Sequence, residues 1–277
     1  MNRAVARLLT FQLPLAAFLV FLLFPFYWML VTALKPNRDL YNLALNPLWT
    51  WTPTLDHVRR LLWDTRFLPW MRNTLVISVG ATALSLVASL LAAYAIGRLR
   101  FRGSGFLGIT IFLTYLVPPV ILFIPLSRIV SALGLWDRAG ALILTYPTFL
   151  VPFCVWLLLG YFRTLPQELE DCARVDGASR FQVMRYVTFP LALPGILSCL
   201  IFAFTLSWNE YLYALVFLSS TDQKTVPVGL ATELVTGDVF QWGPLMAGAL
   251  LGSVPVAVAY SFFVEHYVAA LTGALKE

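Results

Sequence analysis

The amino-acid sequence predicts an all-α polytopic membrane protein with six transmembrane helices and one helical hairpin on the inner side of the membrane. Three observations predict this fold class. The chain of 277 residues is 60% hydrophobic and 12% charged, whereas a soluble domain carries about a quarter charged residues. Six uncharged runs each exceed the roughly 20 residues that cross a bilayer as a helix. One long polar stretch lies between the fourth and fifth runs.

The six runs define the spans in order. We place them at about 8–34, 73–97, 103–127, 139–162, 190–215 and 243–266, in a single transmembrane domain covering 1–277, with the polar loop at 163–190. The first run follows Arg3 and Arg7 as in a signal peptide. It is longer and more aromatic than a signal peptide and lacks a small-x-small cleavage site, so we expect a retained helix.

Charge and tryptophan positions predict the orientation. Six spans place both termini on one side, and Arg98, Arg100 and Arg102 sit beside helix ends, where basic residues favour the cytoplasm. The aromatic residues Trp49, Trp51, Trp63, Trp70, Trp136 and Trp242 lie in or beside the proposed outer loops, as expected at an interface. We therefore expect N-in, C-in. The net charge of +5 is split among loops on both sides, which argues against a nucleic-acid partner.

The first outer loop contains a further helical pattern. Apolar residues recur at helical spacing at Leu55, Val58, Leu61, Leu62 and Leu68. We expect an amphipathic helix lying on the outer surface or on a neighbouring subunit. The alternative is a short helix packed on the loop itself.

The polar loop reads as a helix, a turn and a second helix. Pro166 suits a first helical turn, and Glu168 and Glu170 complement the positive end of the helix dipole. Gly177 is a natural left-handed C-cap. Beyond it, Phe181, Met184 and Val187 form the apolar stripe of a second helix that continues to Pro190. A compact hairpin projecting into the cytoplasm follows.

The stretch LEDCARVDGASRFQVMRYVTFPLALP closely resembles the EAA loop of ABC importer permeases. The positions that match are Asp171, Cys172, Ala173, Asp176, Gly177, Val187, Phe189 and Pro190. Asp171 replaces the usual Glu and Cys172 the usual first Ala. The stretches SWNEYLYALVF, AYAIGRLRFRG and GALKE resemble further parts of carbohydrate-type permeases, such as the six-helix maltose, glycerol-phosphate and oligosaccharide permeases. The resemblance implies the type I importer fold and the cytoplasmic (inner) membrane of a bacterium or archaeon.

The resemblance also implies partners and a coupling role. The hairpin would dock on a soluble ATPase through Glu170, Asp171, Cys172, Ala173, Asp176, Gly177, Ala178, Phe181 and Pro190. The implied partners are two ATPase subunits, a second related permease subunit in a heterodimer, an extracytoplasmic solute-binding protein and membrane lipid. The chain contains no Gly-rich run followed by Lys-Ser or Lys-Thr. We therefore expect ATP and Mg²⁺ to bind to the ATPase. On this chain we expect neither a cofactor nor enzyme activity.

A second set of residues suggests contact with a solute. Glu210 follows an uncharged run, and an ionisable group near membrane depth usually faces a cavity or a partner. The neighbours of Glu210 carry aromatic and amide side chains, which suit contact with sugar rings and hydroxyl groups; they are Trp208, Asn209, Tyr211 and Tyr213. The alternative is that these residues are architectural. The sugar class, an oligosaccharide, polyol or related solute, rests on the resemblance.

Two other function classes compete with this interpretation. An ion-driven secondary transporter would use Glu210 as its coupling carboxylate, but such a protein has no need of the hairpin. A membrane enzyme would need a nucleophile with a base, or a metal set. His57 and His266 lie far apart in the sequence without ligand spacing, so we expect neither a metal site nor catalytic residues. Prolines at 118, 119, 125, 147, 152 and 255 predict kinks in spans three, four and six.

Overall fold

The computed structural model describes residues 7–42, 44–99, 101–237 and 239–273. Arg3, Arg100 and Lys276 lie outside the described residues. The helices are α1 (Leu13–Leu34), α2 (Asn37–Leu40), α3 (Asp56–Trp63), α4 (Phe67–Arg98), α5 (Ser104–Tyr115), α6 (Pro119–Ala132), α7 (Ala139–Thr145) and α8 (Pro147–Thr164). They continue as α9 (Glu168–Val175), α10 (Arg180–Val183), α11 (Phe189–Leu191), α12 (Leu193–Trp208), α13 (Leu212–Phe217), α14 (Val226–Glu233) and α15 (Trp242–Gly273).

Five short elements complete the description of these residues, one of them the 3-10 turn Thr221–Gln223. A π-helical turn, Leu8–Gln12, leads into α1, and another, Met184–Thr188, joins α10 to α11. Strands β1 (Val235–Thr236) and β2 (Val239–Phe240) form an antiparallel pair with Val235 opposite Phe240. The chain divides into two compact units, residues 1–68 with 229–254 and residues 69–228 with 255–277.

Four helical stretches are long and apolar enough to cross a membrane: Leu8–Leu34, Phe67–Arg98, Ala139–Thr164 and Trp242–Phe263. Two further candidates are bent pairs, α5 with α6 at 97° and Arg180–Leu191 with α12 at 76°. Counting each pair as one span gives six among the described residues, the number that the sequence predicts. The third and fifth predicted spans differ in detail, because neither 103–127 nor 190–215 is one continuous helix.

The break in the third span has a plain cause in its sequence. Helix α5 ends at Tyr115 and α6 begins at Pro119. Pro119 has no N–H to donate to the carbonyl of Tyr115 four residues earlier, and Pro118 disfavours helical geometry at the residue before it. The chain therefore turns between Leu116 and Pro118 instead of continuing straight.

The core of the second unit is built around α8. Tyr146, Leu150, Cys154, Leu158 and Phe162 recur at every fourth residue and are fully buried, so they form one stripe along the helix. This stripe packs with Cys199 and Ala203 of α12, among other residues. By contrast, only 11% of the apolar window of Leu8–Leu34 is buried, against 44% for Ala139–Thr164. The first predicted span thus has most of its surface left for lipid or another chain.

In the first unit, the amphipathic helix predicted in the outer loop is present as α3. It buries His57 and Leu61, whereas Leu55 is exposed. Nε2 of His57 lies 2.9 Å from the carbonyl of Lys35, just after α1, and Gly243 at the start of α15 leaves room for the imidazole ring. The helix therefore packs against the end of α1 and the start of α15, which neither interpretation of the sequence specifies.

The segment 217–226 of the second unit is held by residues far away in the sequence. Trp70 Nε1 donates to the carbonyl of Thr221 (2.7 Å), Asn73 Nδ2 donates to that of Asp222 (2.7 Å), and the N–H of Val226 donates to Thr74 Oγ1 (2.8 Å). These contacts attach the segment to the first turns of α4.

Asp137 holds the same segment from the α6–α7 turn. Its carboxylate accepts from the N–H groups of Ser219 (2.8 Å) and Ser220 (3.0 Å) and from the Ser220 hydroxyl, and its own N–H donates to the carbonyl of Phe217 (3.0 Å). Burial of Asp137 disfavours the charged form, but the hydrogen bonds from Ser220 and Ser219 outweigh it and lower the pKa below its usual value. A left-handed backbone at this residue, with φ 57°, positions the carboxylate.

Candidate functional site

The predicted hairpin between the fourth and fifth spans is present, with a tightly bonded turn. Helix α9 ends in a Schellman motif, in which Ala178 N donates to Ala173 O (3.0 Å) and Gly177 N donates to Arg174 O (3.1 Å). Gly177 has φ 89°, in the left-handed region that disfavours side chains. The turn therefore has one defined conformation.

Helix α10 starts with a capping box. The Ser179 N–H donates to Gln182 Oε1 (2.7 Å), and the Gln182 N–H donates to Ser179 Oγ (3.3 Å). The helix then continues through the π-helical turn Met184–Thr188 into α11, with Pro190 in the first turn of α11. Sequence reasoning predicts a single second helix here and misses the extra residue that the π turn accommodates.

One face of the hairpin is attached to the transmembrane helix α4. Glu170 is buried, and its Oε1 lies 3.0 Å from Nε of Arg98, the last residue of α4. The same oxygen accepts from the Thr188 hydroxyl (3.0 Å), and Arg98 Nη2 donates to the carbonyl of Leu165 (2.9 Å). Glu170 thus connects α4, α9 and the π turn. Its side chain is buried against these elements, and its part in ATPase coupling stays a prediction.

The opposite face of the hairpin is open. Among the predicted coupling residues, those exposed are Asp171, Cys172, Asp176, Gly177, Phe181 and Pro190, and those half-buried are Ala173 and Ala178. Val175, which the sequence reasoning missed, is 88% exposed, and Phe181 is 62% exposed. Asp171 Oδ1 lies 3.7 Å from Arg174 Nη1, an exposed pair that contributes little to stability. The hairpin therefore presents apolar groups beside charged ones.

The predicted solute residues are largely internal. Trp208 and Tyr213 are buried. The ring of Tyr213 packs at 5.2 to 6.0 Å from those of Phe123, Phe149 and Phe217. These positions belong to the packing of the second unit.

Glu210 and its neighbours also bond within the chain. The Glu210 carboxylate accepts from the N–H groups of Tyr213 (2.8 Å) and Ala214 (3.1 Å), and so caps the start of α13. Asn209 Nδ2 donates to the carbonyl of Thr205 (2.9 Å), and Tyr211 is half-buried. This geometry favours the architectural alternative, while direct contact with a solute remains a prediction.

A groove between α5, α8 and α12 is the feature that sequence reasoning missed. It has a volume of about 830 Å³, and its lining includes Gly105, Phe112, Trp156, Gly160, Tyr161 and Phe202. The glycines and aromatic residues were visible in the sequence, but nothing in their spacing shows that three helices bring them together. Within the part of the chain that the structure describes, no group of three or more His, Cys, Asp or Glu could hold a metal ion.

Comparison with known families decides the class of protein. A family model described as "binding-protein-dependent transport system inner membrane component" matches residues 85–272, which include both the hairpin and the groove. This chain belongs to that family. As a permease of this kind it is a transport subunit and not an enzyme, and ATP hydrolysis belongs to a separate partner subunit. The family resemblance and the all-α polytopic fold that the sequence predicts are confirmed.

Individual relatives resemble the permease over almost its whole length. The inner membrane ABC transporter permease protein YcjP of Escherichia coli is 36% identical and covers 94% of this chain and 93% of its own. The sulfoquinovosyl glycerol transport system permease protein SmoH of Agrobacterium fabrum is 35% identical, with 92% and 89% covered. A crystal structure of a bacterial ABC transporter involved in the import of the acidic polysaccharide alginate aligns with a TM-score of 0.79 at 20% identity, covering 96% and 98%. That likeness shows the fold alone.

Proposed function

We propose that this permease translocates a carbohydrate, namely an oligosaccharide, a polyol or a related solute, across the cytoplasmic membrane of a bacterium or archaeon. The substrate class is supported by the sulfoquinovosyl glycerol relative and, for the fold, by the alginate importer. The chain crosses the membrane several times with both termini inside, as Arg98 and Arg102 beside helix ends support.

The observation that carries the coupling mechanism is the two-sided hairpin. Its inner face is fixed to α4 by the buried Arg98–Glu170 pair, and its outer face exposes Val175 and Phe181. Apolar groups surrounded by charged ones are typical of a docking surface. An ATPase bound there moves α9 and, through Glu170, the inner end of α4. ATP and Mg²⁺ bind to the ATPase, and no cofactor binds to this chain.

Two ATPase subunits, a solute-binding protein outside and a second, related permease complete the transporter. Helix α1 supports the need for a second permease, because the rest of this chain buries few of its apolar side chains. Phe18, Phe21 and Leu23, for example, are 59%, 75% and 60% exposed. Alternating access then arises from movement of the two permeases against each other, biased by nucleotide and by the solute-binding protein.

The test is ATP hydrolysis by the complex in lipid, with and without the solute-binding protein and a panel of sugars. We compare wild type with Val175→Asp, which places a charge on the exposed outer face of the hairpin. The matched control is Leu55→Asp, because Leu55 is also exposed (67%) but lies at the start of α3. Val175→Asp should lower sugar-stimulated hydrolysis by about tenfold, the effect of a well-placed interface residue. Leu55→Asp should have little effect.

Two results would overturn the proposal. One is a permease that purifies without an ATPase and transports normally with Val175→Asp. The other is uptake that a protonophore abolishes at constant ATP, which would make the protein an ion-driven transporter.

A further inference from the structure

The groove between α5, α8 and α12 has the form of a small-molecule site. Its volume of about 830 Å³ falls within the ~300–1,000 Å³ typical of ligand pockets, which are mostly apolar with a few polar groups and occur between helices of bundles. Added Cβ atoms at Gly105 and Gly160 would meet no atom within 4 Å, so the space beside both residues is open. Arg163 and Thr164 line the groove at the end of α8, where the hairpin begins.

Aromatic rings form the walls of this groove. The rings of Phe112 and Trp156 lie 6.0 Å apart, and Trp156 remains 57% exposed. The Tyr161 ring lies directly on the backbone of Gly195, where an added Cβ would come within 2.4 Å of it. The flat faces of such rings pack against the C–H faces of sugars. The hydroxyl oxygens of Ser198 and Thr164, which donate to the carbonyls of Pro194 and Tyr161, can still accept hydrogen bonds.

The break in the third span distinguishes two interpretations of the groove, one in which it lines a solute pathway and one in which it faces lipid. Helix α5 has 12 residues, about 18 Å of rise, so its end at Tyr115 lies within a hydrocarbon core of ~30 Å. Non-helical backbone at that depth is tolerated where it is buried in protein or lines a water-filled cavity. Leu116 and Val117 in the break are 62% and 38% exposed, so within this chain the protein does not bury them.

The break and the groove are connected by ring contacts. Tyr115, at the end of α5, packs on Phe153 of α8 at 6.0 Å, and Phe153 packs on Phe202 of α12 at 6.1 Å. Phe202 itself lines the groove. The exposed break and the open groove are thus the two ends of one aromatic strip.

We infer that this strip, from the break at Leu116–Pro118 to Arg163, is the half of the solute pathway nearest the hairpin, and that the transported carbohydrate moves along its rings. The inference rests on the proposed function and assigns the pathway to residues other than Trp208, Glu210 and Tyr213. The strip ends at Arg163, where the hairpin begins. The exit of the pathway therefore lies beside the hairpin, which an ATPase would move.

Thiol labelling of the assembled transporter tests this inference. Wild type is the background, and labelling of each thiol is read separately by mass spectrometry, because Cys172 is itself exposed whereas Cys154 and Cys199 are buried. Gly105→Cys and Gly160→Cys each place a thiol in the open space of the groove. The control is Val87→Cys, exposed on α4. It precedes the groove residue Ile96 by about two and a half turns and so lies on the opposite face of the helix.

The reagents are a charged, membrane-impermeant methanethiosulfonate and a lipid-soluble maleimide, applied to inside-out vesicles. The charged reagent reaches only thiolates in contact with water, whereas the lipid-soluble maleimide also reaches thiols at the lipid surface. Without nucleotide, both groove thiols should react with the charged reagent, and trapping with ATP and vanadate should slow that reaction by about tenfold as the pathway closes. The Val87→Cys thiol should react with the maleimide alone.

Three results would overturn the inference: groove thiols that react with the maleimide alone, which indicates lipid; groove thiols that react with neither reagent, which indicates cover by the second permease; or charged labelling that nucleotide does not change. The proposed function is judged separately, by sugar-stimulated ATP hydrolysis of the wild-type transporter before labelling.

Discussion

Glu170 Oε1 lies 3.0 Å from Arg98 Nε, and both side chains are nearly buried. Glu170→Ala leaves the Arg98 guanidinium buried without its carboxylate, a change that costs about 3–5 kcal/mol in comparable pairs. We expect the variant to melt at a lower temperature in detergent. It should also retain ATPase binding while losing transport per ATP hydrolysed, because the hairpin no longer moves with α4.

The control for this prediction is Glu168→Ala, which removes an exposed carboxylate two residues earlier in α9. It should change the melting temperature little. Equal effects of the two substitutions would contradict the role given to the buried pair.

The turn of the hairpin depends on the backbone conformation of Gly177. An added Cβ would meet nothing within 4 Å, so the cost of Gly177→Ala comes from the φ of 89° and should be about 1–2 kcal/mol. Gly177→Asn should cost less, because Asn adopts the left-handed conformation more readily. Thermal unfolding and transport should both rank the variants glycine, asparagine, alanine. A tolerated alanine would show that the turn is not held in this conformation.

The Asp137 carboxylate predicts an acid-sensitive outer face. Its pKa in the folded state is lowered, with hydrogen bonds from Ser220 and Ser219 outweighing burial, so its contribution to stability is complete above the unfolded pKa of about 4. That contribution is lost as pH falls through the folded pKa. Asp137→Asn, which also suits the positive φ, should cost about 1 kcal/mol at pH 7 after allowance for partial exposure.

Melting temperatures of wild type and Asp137→Asn should therefore differ at pH 7 and converge as pH falls through the lowered folded pKa of Asp137. A difference that stays constant over this range would mean that the Asp137 charge does not hold the segment 217–226.

The three cysteines should differ sharply in reactivity. Cys172 is exposed on α9, whereas Cys154 and Cys199 are buried, so a polar maleimide should label one thiol per folded chain. Bound ATPase should slow the labelling of Cys172 by about tenfold if it covers this face. A thiol introduced by Leu55→Cys, whose labelling is read separately from that of Cys172, should be unaffected. Unchanged Cys172 labelling in the complex would place the ATPase elsewhere.

The sequence predicts the architecture well because lipid leaves few alternatives. Uncharged length alone locates spans such as 8–34, and Gly177 locates the turn of the hairpin. The bend at Pro118 was predictable as a kink, but its angle of 97° depends on packing around the break. Likewise, Glu168 and Glu170 look equivalent in the sequence. They differ because Arg98, at the end of a helix 72 residues earlier in the chain, pairs with Glu170 and holds it buried.

The solute residues show the same limit. Trp208, Glu210 and Tyr213 carry the chemistry expected of a sugar site, yet each finds its partners within the chain. Burial is a property of the assembled helices, and local spacing does not encode it.

The contacts of Trp70, Asn73 and Thr74 with the segment 217–226 have a consequence for biogenesis. The two sides of these bonds are separated by 149 to 152 residues. Helix α4 is synthesised well before those partners, so Trp70, Asn73 and Thr74 cannot make these bonds until the segment 217–226 follows. This end of the second unit is thus completed only after Val226 has been synthesised, late in the synthesis of the chain.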